Sequence, residues 1–152
     1  MSEPAVLTGG CLCGAIRYEA WGKPNLQAIC HCRMCQRASG APFMALMFMP
    51  QDRVKLIKGQ TRVFHSSSTA DQHFCGECGS PIFFVRHTRS SWALMAGSLD
   101  DPNVFDAEMH VCVESAVAWL DMRDSAPRYS AKPEGMTPLV SYDPVTGRIA
   151  PG

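Results

Sequence analysis

The sequence FCGECG at residues 74–79 places two cysteines three positions apart, next to two glycines. A C-x-x-C turn lets both sulfurs reach one metal ion, and glycine relaxes the backbone where a positive φ is needed. Apolar residues on both sides predict that this turn joins two strands of a β-hairpin. A redox C-x-x-C motif is the alternative, but no βαβ pattern surrounds the pair. We therefore predict that Cys75 and Cys78 bind zinc.

Cys11 and Cys13 form a second pair, separated by a single residue. In an extended segment, side chains two positions apart point to the same side, so both thiols can aim at one metal ion. This pair needs two further ligands, and Cys75 with Cys78 completes a four-cysteine set. Such a site would tie the N-terminal part of the chain to its middle and contribute folding free energy.

Cys30, Cys32 and Cys35 form a compact C-x-C-x-x-C triplet. Three thiolates from one loop would leave a zinc ion with one exchangeable position, as in catalytic sites. A closed structural site, completed by Cys112 or by a histidine, is the alternative, and the spacing alone favours neither. A zinc ribbon that joins Cys32 and Cys35 to the 75/78 pair is also possible, although it would leave three clustered cysteines unused.

Composition limits the protein class. The chain has 152 residues, enough for one domain, and a formal net charge of zero, which predicts no general attraction to nucleic acid or anionic membranes. The first residues show no basic and apolar leader, and the longest apolar run, residues 41–50, is too short to span a bilayer. We expect a cytoplasmic protein, a setting in which clustered cysteines indicate metal binding more often than disulfides.

Short strands separated by turns predict a mainly β fold. Residues 54–58 and 62–65 flank Gly59-Gln60 as in a hairpin, and alternation over residues 107–113 places His110 and Cys112 on one face. A short helix is expected over residues 33–39 with Gly40 as its end, and another turn over residues 116–122. The remaining predicted strands cover residues 15–21, 42–49, 82–85 and 92–96.

Domain boundaries follow from composition. We predict an N-terminal tail over residues 1–7, one zinc-binding domain over residues 8–129 and a proline-rich C-terminal tail over residues 130–152.

Several spaced motifs together resemble the glutathione-dependent formaldehyde-activating enzyme family, whose domain also occurs in centromere protein V. The similarity runs from about Thr8 to Tyr129, and it includes His110 and Trp119. The matching motifs are Gly9-Gly10-Cys11-Leu12-Cys13-Gly14 with Ile16-Arg17-Tyr18, Cys30-His31-Cys32-Arg33-Met34-Cys35, Ser39-Gly40-Ala41-Pro42-Phe43, Phe74-Cys75-Gly76-Glu77-Cys78-Gly79-Ser80 and Gly97-Ser98-Leu99-Asp100-Asp101-Pro102. Members often have a tryptophan where this chain has Met47 and Phe48, and Cys112 lies outside the family pattern.

The resemblance implies a β-tent-like fold of antiparallel sheets organised around two zinc ions per chain. It implies a structural zinc on Cys11, Cys13, Cys75 and Cys78 and a catalytic zinc on Cys30, Cys32 and Cys35. The implied reaction joins glutathione and formaldehyde, or cleaves the carbon–sulfur bond of their adduct. Our hypothesis is that Ser39 and the backbone amides of Gly40 and Ala41 help to seat the substrate.

A non-catalytic binding module, stabilised by two structural zinc ions, is the second functional hypothesis. A basic patch would favour it, but the only local concentrations of positive charge are Arg33, Arg37, Arg86 and Arg89. These arginines fit a solvated surface, or anchors for glutathione carboxylates, better than a nucleic-acid face. We therefore predict small-molecule partners and no nucleic-acid or membrane partner.

Overall fold

The computed structural model describes residues 5–131 and contains ten strands in two sheets, with one α-helix. The strands are β1 (Val6–Gly10), β2 (Arg17–Trp21), β3 (Leu26–Cys30), β4 (Met44–Pro50), β5 (Val54–Lys58), β6 (Arg62–Ser67), β7 (Ala70–Phe74), β8 (Pro81–Arg86), β9 (Ser91–Met95) and β10 (Met109–Val111). Helix α1 spans Arg33–Ser39, and short 3₁₀ turns cover Gln51–Arg53, Ala96–Ser98, Pro102–Val104 and Val113–Ser115. The expected mainly β fold is confirmed.

The smaller sheet has the strand order β1-β2-β5, and the larger one has the order β10-β3-β4-β9-β8-β7-β6. Pairs between these strands are antiparallel, as expected, except that β10 runs parallel to β3. Strand β10 enters the sheet after a long connection from β9, so it can align with β3 in either direction. The hairpin predicted around residues 74–79 is formed by β7 and β8.

The hairpin predicted around Gly59-Gln60 is wrong. Strand β5 pairs with β2 through Tyr18↔Leu56, whereas β6 pairs with β7 through Val63↔His73. The turn therefore carries the chain from one sheet to the other. Gly59 has a φ of 72° and packs directly against the Ala15 carbonyl, a position that a side chain could not occupy.

Two further boundaries differ from the sequence prediction. Strand β10 ends at Val111 because Cys112 adopts a φ of 57°, which breaks the alternation predicted for residues 107–113. The turn predicted over residues 116–122 forms at residues 118–119, and a 3₁₀ turn lies just before it at Val113–Ser115. The N-terminal tail predicted over residues 1–7 overlaps β1 by two residues, and most of the predicted C-terminal tail lies outside the described residues.

The core divides into two clusters on opposite faces of the larger sheet. On β4, Leu46 belongs to the first cluster with α1, whereas Met47 and Met49 belong to the second, which packs against the smaller sheet. Strand alternation produces this division, because successive side chains point to opposite faces. Cys30, Cys32 and Cys35 lie in the first cluster, and Cys75 lies in the second. The sheet therefore separates the two groups of cysteines.

Within residues 5–131, no helix combines the length and apolar composition that crossing a bilayer would require.

Replacing Gly9 with alanine tests the packing beneath β1. A Cβ at Gly9 would collide with the Tyr18 hydroxyl and approach the Ser98 carbonyl oxygen to 2.5 Å. We expect Gly9→Ala to lower the free energy of unfolding by about 1–3 kcal/mol, measured by urea denaturation. Gly97→Ala is the matched control, because no heavy atom lies within 4 Å of its Cβ position. Parental stability in both variants would contradict this packing.

Candidate metal centres and the adjoining cavity

The four-cysteine cluster consists of Cys11, Cys13, Cys75 and Cys78, and two turns build it. The turn after β7 is held by hydrogen bonds from the Cys75 amide to the Ser80 carbonyl at 2.9 Å and from the Gly79 amide to the Cys75 carbonyl at 2.8 Å. The turn after β1 reaches it through the Leu12 amide, which donates to the Ser80 hydroxyl at 3.0 Å. The cluster therefore links the two sheets.

The four sulfurs fit one tetrahedral metal ion. All of them lie within 4.8 Å of one another, with 3.6 Å between the Cys11 and Cys13 sulfurs and 3.8 Å between those of Cys13 and Cys75. A zinc–sulfur bond of about 2.3 Å implies tetrahedral edges of about 3.8 Å. The donor set and its geometry therefore suit zinc. The structure brings together Cys11, Cys13, Cys75 and Cys78, the four cysteines that the sequence analysis grouped.

The turn also favours the thiolate form of Cys78. Hydrogen bonds from the side chain and backbone of Ser80 lower the pKa of the Cys78 thiol to about 5. Because metal ions bind the thiolate form, this environment favours ligation at neutral pH.

Cys78→Ser tests the structural role of the four-cysteine cluster. If each cysteine cluster holds a metal ion, we expect loss of one of the two, and a melting temperature at least ~10 °C lower, because a metal ion that bridges two turns contributes folding free energy. Glu77→Gln, at the exposed position beside it, is the matched control and should retain both metal ions. Metal content by mass spectrometry and thermal unfolding check the prediction. A fully loaded variant with parental melting temperature would contradict it.

The cysteine triplet consists of Cys30, Cys32 and Cys35, which lie where β3 passes into α1. Cys30 ends the strand, Cys32 caps the helix, and the Cys35 amide donates to the Cys32 sulfur at 3.3 Å. All three are buried, and their sulfurs lie within 4.8 Å of one another. The zinc-ribbon alternative, which required Cys32 and Cys35 to meet the 75/78 pair, is wrong. Helix α1 and its end at Gly40 are confirmed.

The three thiols of the triplet are electrostatically unequal. Hydrogen bonds with Cys30 and Cys32, together with burial, raise the pKa of Cys35 well above its usual value. The contact with Cys112 acts to raise the pKa of Cys30, but hydrogen bonds with Cys32 and Cys35 outweigh it, so that this pKa is lowered. Cys30 is therefore the first of the three to carry the negative charge that a metal ion attracts.

Cys112 is the eighth cysteine, and it lies beside the triplet. It is 5% exposed and hydrogen-bonds with Cys30, although its sulfur does not join the group whose members lie within 4.8 Å of one another. All eight cysteines of the chain carry free thiols.

Two buried histidines, His31 and His110, form a series of hydrogen bonds next to the triplet. His31 Nε2 lies 2.8 Å from His110 Nδ1, and His110 Nε2 lies 2.9 Å from the Asp124 carboxylate. Arg128 holds the pKa of Asp124 well below its usual value. The carboxylate therefore accepts the Nε2 proton, which leaves His110 Nδ1 to accept from His31. These hydrogen bonds position the backbone between Cys30 and Cys32. They do not bring His110 close enough to join the group of three sulfurs.

The remaining histidines form local contacts outside both clusters. His73 stacks on Phe83 at 4.5 Å, and His65 and His87 flank the Asp71 carboxylate at 2.6 and 2.8 Å.

A cavity of about 350 Å³ adjoins the triplet. Cys30 and Cys35 form part of its wall, whereas no member of the four-cysteine cluster borders it. Its other wall residues are Asn25, Leu26, Ala28, Met34, Met44, Leu46, Phe48, Gln72, Phe84, Arg86, Arg89, Ser91 and Val111. Cys75 borders a separate surface depression of about 290 Å³. The cavity beside Cys30 and Cys35 thus gives a small molecule a route to the buried triplet, whereas the four-cysteine cluster lies nearer the surface, with Cys13 exposed.

Ser39, Gly40 and Ala41, expected to seat the substrate, do not line this cavity. The Gly40 amide donates to the Gln36 carbonyl at 2.8 Å, the Ala41 amide donates to the Ser39 hydroxyl at 3.2 Å, and that hydroxyl donates to the Cys35 carbonyl at 2.7 Å. These groups terminate α1 and fix the Cys35 backbone. Trp119 is 75% exposed and also lies off the cavity wall.

The fold and its clusters define a class of protein: a two-sheet β domain with two cysteine clusters that could hold metal ions, one of four sulfurs and one of three. The profile of the family described as glutathione-dependent formaldehyde-activating enzyme matches residues 6–115, and the chain belongs to this family.

A Schizosaccharomyces pombe protein named as an uncharacterized lyase is 33% identical over 77 residues, which are 51% of this chain and 56% of that protein. The chain thus spans little more than half the length of this curated relative. A crystal structure of a Rhodobacter sphaeroides protein has a TM-score of 0.52 and 16% identity, and covers 80% of this chain and 98% of that chain. This second similarity shows the fold alone.

Sequence reasoning missed most of the cavity. Arg86 and Arg89 stood out as a local concentration of charge, but nothing in the sequence placed them beside the triplet. Asp124 and Arg128 belong to no recognisable sequence motif. Their contacts with His110 and with each other lie near the triplet only because β10 pairs with β3.

Proposed function

We propose that this chain catalyses the reversible addition of glutathione to formaldehyde, at a zinc ion held by Cys30, Cys32 and Cys35. A second zinc ion, on Cys11, Cys13, Cys75 and Cys78, would stabilise the fold. The observation that carries this proposal is that the triplet borders a cavity of about 350 Å³, whereas the complete cluster does not. Family membership and the lyase name of a relative support a reaction of this type.

The cysteine triplet would hold the metal ion at the cavity wall. When bound there, zinc supplies a fourth coordination position and favours the deprotonated form of a thiol that occupies it. Three protein thiolates would give the centre a net negative charge, so a further thiolate would be held weakly and stay nucleophilic. The apolar residues around it would limit the number of water molecules next to the reacting sulfur.

The bond changes balance without an oxidant or a reductant. The thiolate sulfur donates an electron pair to the aldehyde carbon and forms the carbon–sulfur bond, while the carbonyl π pair moves to oxygen, which takes up the proton released by the thiol. The reverse reaction returns the pair to sulfur. No Asp, Glu or His occurs among the described residues that line the cavity, so we assign the proton exchange to water.

A specific observation favours the second function, a binding module with two structural zinc ions. Cys112 hydrogen-bonds with Cys30, so a fourth sulfur lies next to the triplet. The two functions therefore differ in whether the triplet accepts an external thiol. Either function requires reduced cysteines, which is why we propose a cytoplasmic location.

Cys35→Ser tests the enzymatic proposal. We expect loss of one metal ion and a fall in turnover of at least ~100-fold, because serine is a poor zinc ligand at neutral pH. Formation of the glutathione adduct is followed by NMR above the uncatalysed rate. The four-cysteine cluster remains intact in this variant, so its melting temperature should stay well above that of Cys78→Ser.

Cobalt substitution provides the control that does not depend on turnover. Glutathione should increase the sulfur-to-cobalt charge-transfer absorption of the parent protein and leave that of Cys35→Ser unchanged. Equal unfolding of the two cysteine variants, or a parent spectrum indifferent to glutathione, would contradict the open site and support the binding module.

A further inference from the structure

Cys112 has an unusual backbone conformation. Its φ is 57°, and within residues 5–131 it is the one residue other than glycine with a positive φ. The left-handed region disfavours a side chain, so such a conformation persists only where the surrounding structure holds it. Residues of this kind are concentrated at functional sites, which makes Cys112 a candidate functional residue.

The left-handed conformation turns the Cys112 side chain towards the triplet. Val111 is the register partner of Cys30 in the parallel pairing of β10 with β3, and register partners place their side chains on the same face of a sheet. In a continued strand, Cys112 would then point to the opposite face. Instead it packs in the same core cluster as Cys30 and Val111, and it hydrogen-bonds with Cys30. The end of the strand therefore returns the Cys112 thiol to the face of Cys30.

The backbone spacing between Cys30 and Cys112 suits a disulfide. Neighbouring strands lie about 4.8 Å apart and consecutive Cα atoms about 3.8 Å apart, so a residue one position beyond a register partner has its Cα atom about 6 Å away. Cys112 occupies this position relative to Cys30. Disulfides join Cα atoms that lie about 4.4–6.8 Å apart.

A buried side chain holds the two cysteine-bearing segments together. The Gln36 amide nitrogen donates to the His31 carbonyl at 2.7 Å and to the Ser115 carbonyl at 2.9 Å. The His31 amide donates to the Val111 carbonyl at 3.1 Å. The segments that follow β3 and β10 are therefore fixed relative to each other, so little further ordering is needed when a covalent bond joins them.

A small oxidant can reach one member of the pair through the cavity. Cys30 lines this space of about 350 Å³, whereas Cys112 is 5% exposed and does not line it. A water molecule occupies about 30 Å³, so the cavity has room for a peroxide group. An oxidant in the cavity would therefore meet Cys30 first, with Cys112 positioned next to it to react second.

We propose that Cys30 and Cys112 form an oxidation site, at which a hydroperoxide converts the pair to a disulfide and thereby releases the metal ion from the triplet. Loss of Cys30 leaves two ligands, Cys32 and Cys35, fewer than the three or four that protein zinc sites use. The inference concerns regulation of the proposed site, and it rests on the proposed function only for the presence of zinc at the triplet.

The bond changes balance with the hydroperoxide as oxidant. The Cys30 thiolate attacks the hydroxyl oxygen of the peroxide, the O–O bond breaks, and the leaving oxygen takes a proton from water, which gives an alcohol and a sulfenic acid on Cys30. The Cys112 sulfur then attacks the Cys30 sulfur, forms the S–S bond and loses its proton to the departing hydroxyl group, which leaves as water. Two electrons pass from the two sulfurs to the peroxide. A dithiol reverses the oxidation by exchange.

Peroxide titration of the zinc-loaded full chain tests the proposal. A few equivalents of hydrogen peroxide should release one of two zinc ions, measured with a chromogenic chelator. Mass spectrometry of alkylated peptides should find a bridge between Cys30 and Cys112, and dithiothreitol with added zinc should restore the parental metal content. A bridge confined to Cys32 and Cys35, zinc release without a bridge, or full zinc retention by the oxidised chain would overturn the proposal.

Cys112→Ser removes the second sulfur and leaves the triplet intact. We expect this variant to keep both zinc ions and to release the triplet zinc at least ~10-fold more slowly in peroxide, because no neighbouring thiol traps the oxidised Cys30. Met44→Leu is the matched control. Met44 is the register partner of Cys30 on β4, it is buried and it also carries an oxidisable sulfur, so this variant should respond as the parent does. Equal release from the parent and Cys112→Ser would overturn the proposal.

Cys112→Gly is a second variant that does not bury a hydroxyl group. Glycine adopts a φ of 57° without strain, so the backbone at this position is preserved. The variant should resist peroxide as Cys112→Ser does. Loss of the triplet zinc from both variants before any peroxide is added would show that Cys112 is a metal ligand, and would overturn the proposal.

These readouts separate the inference from the proposed function, because none of them requires turnover. Formation of the bridge with release of zinc, in a protein that does not convert glutathione and formaldehyde, supports the inference and contradicts the proposed function alone. Parental turnover, with zinc release that is the same in the parent and in the Cys112 variants, contradicts the inference alone.

Discussion

The link between two distant turns, made by four sulfurs, is the constraint on which this structure depends. Cys11 and Cys13 follow β1, and Cys75 and Cys78 follow β7, so one metal ion would join the smaller sheet to the larger one. The sulfur separations of 3.6 and 3.8 Å match a tetrahedral centre. Once this link holds the two sheets together, the second core cluster is enclosed between them, and the opposite face of the larger sheet is left to form the other site.

Alternation of side chains along the strands places the second core cluster on one face of the larger sheet, and the triplet with its cavity on the other. Met47 and Met49 of β4 face the smaller sheet, and Leu46 and Phe48 face the triplet and its cavity. A shift of one residue in the pairing of β4 with β3 would exchange these sets and fill the cavity side differently. The apolar cavity wall is thus a consequence of the same register that builds the core.

Local spacing predicted which cysteines lie close together within each motif, because the C-x-C and C-x-x-C spacings are themselves local. The C-x-C and C-x-x-C patterns indicated which cysteines can share a metal ion, and Gly40 indicated the end of α1. Non-local pairing was not predictable from local patterns. Gly59 resembles a hairpin glycine, yet the chain changes sheets there, and the positive φ of Cys112, which brings its thiol to Cys30, has no signature in the sequence.

Zinc K-edge absorption spectroscopy of the fully loaded chain tests the central claim, that one centre is complete and the other open. With one centre of four sulfurs and one of three, the average number of sulfur neighbours per zinc should lie midway between three and four, with a light oxygen neighbour completing the shell. Four sulfurs at every zinc ion would show that Cys112 closes the triplet, and would contradict an open site.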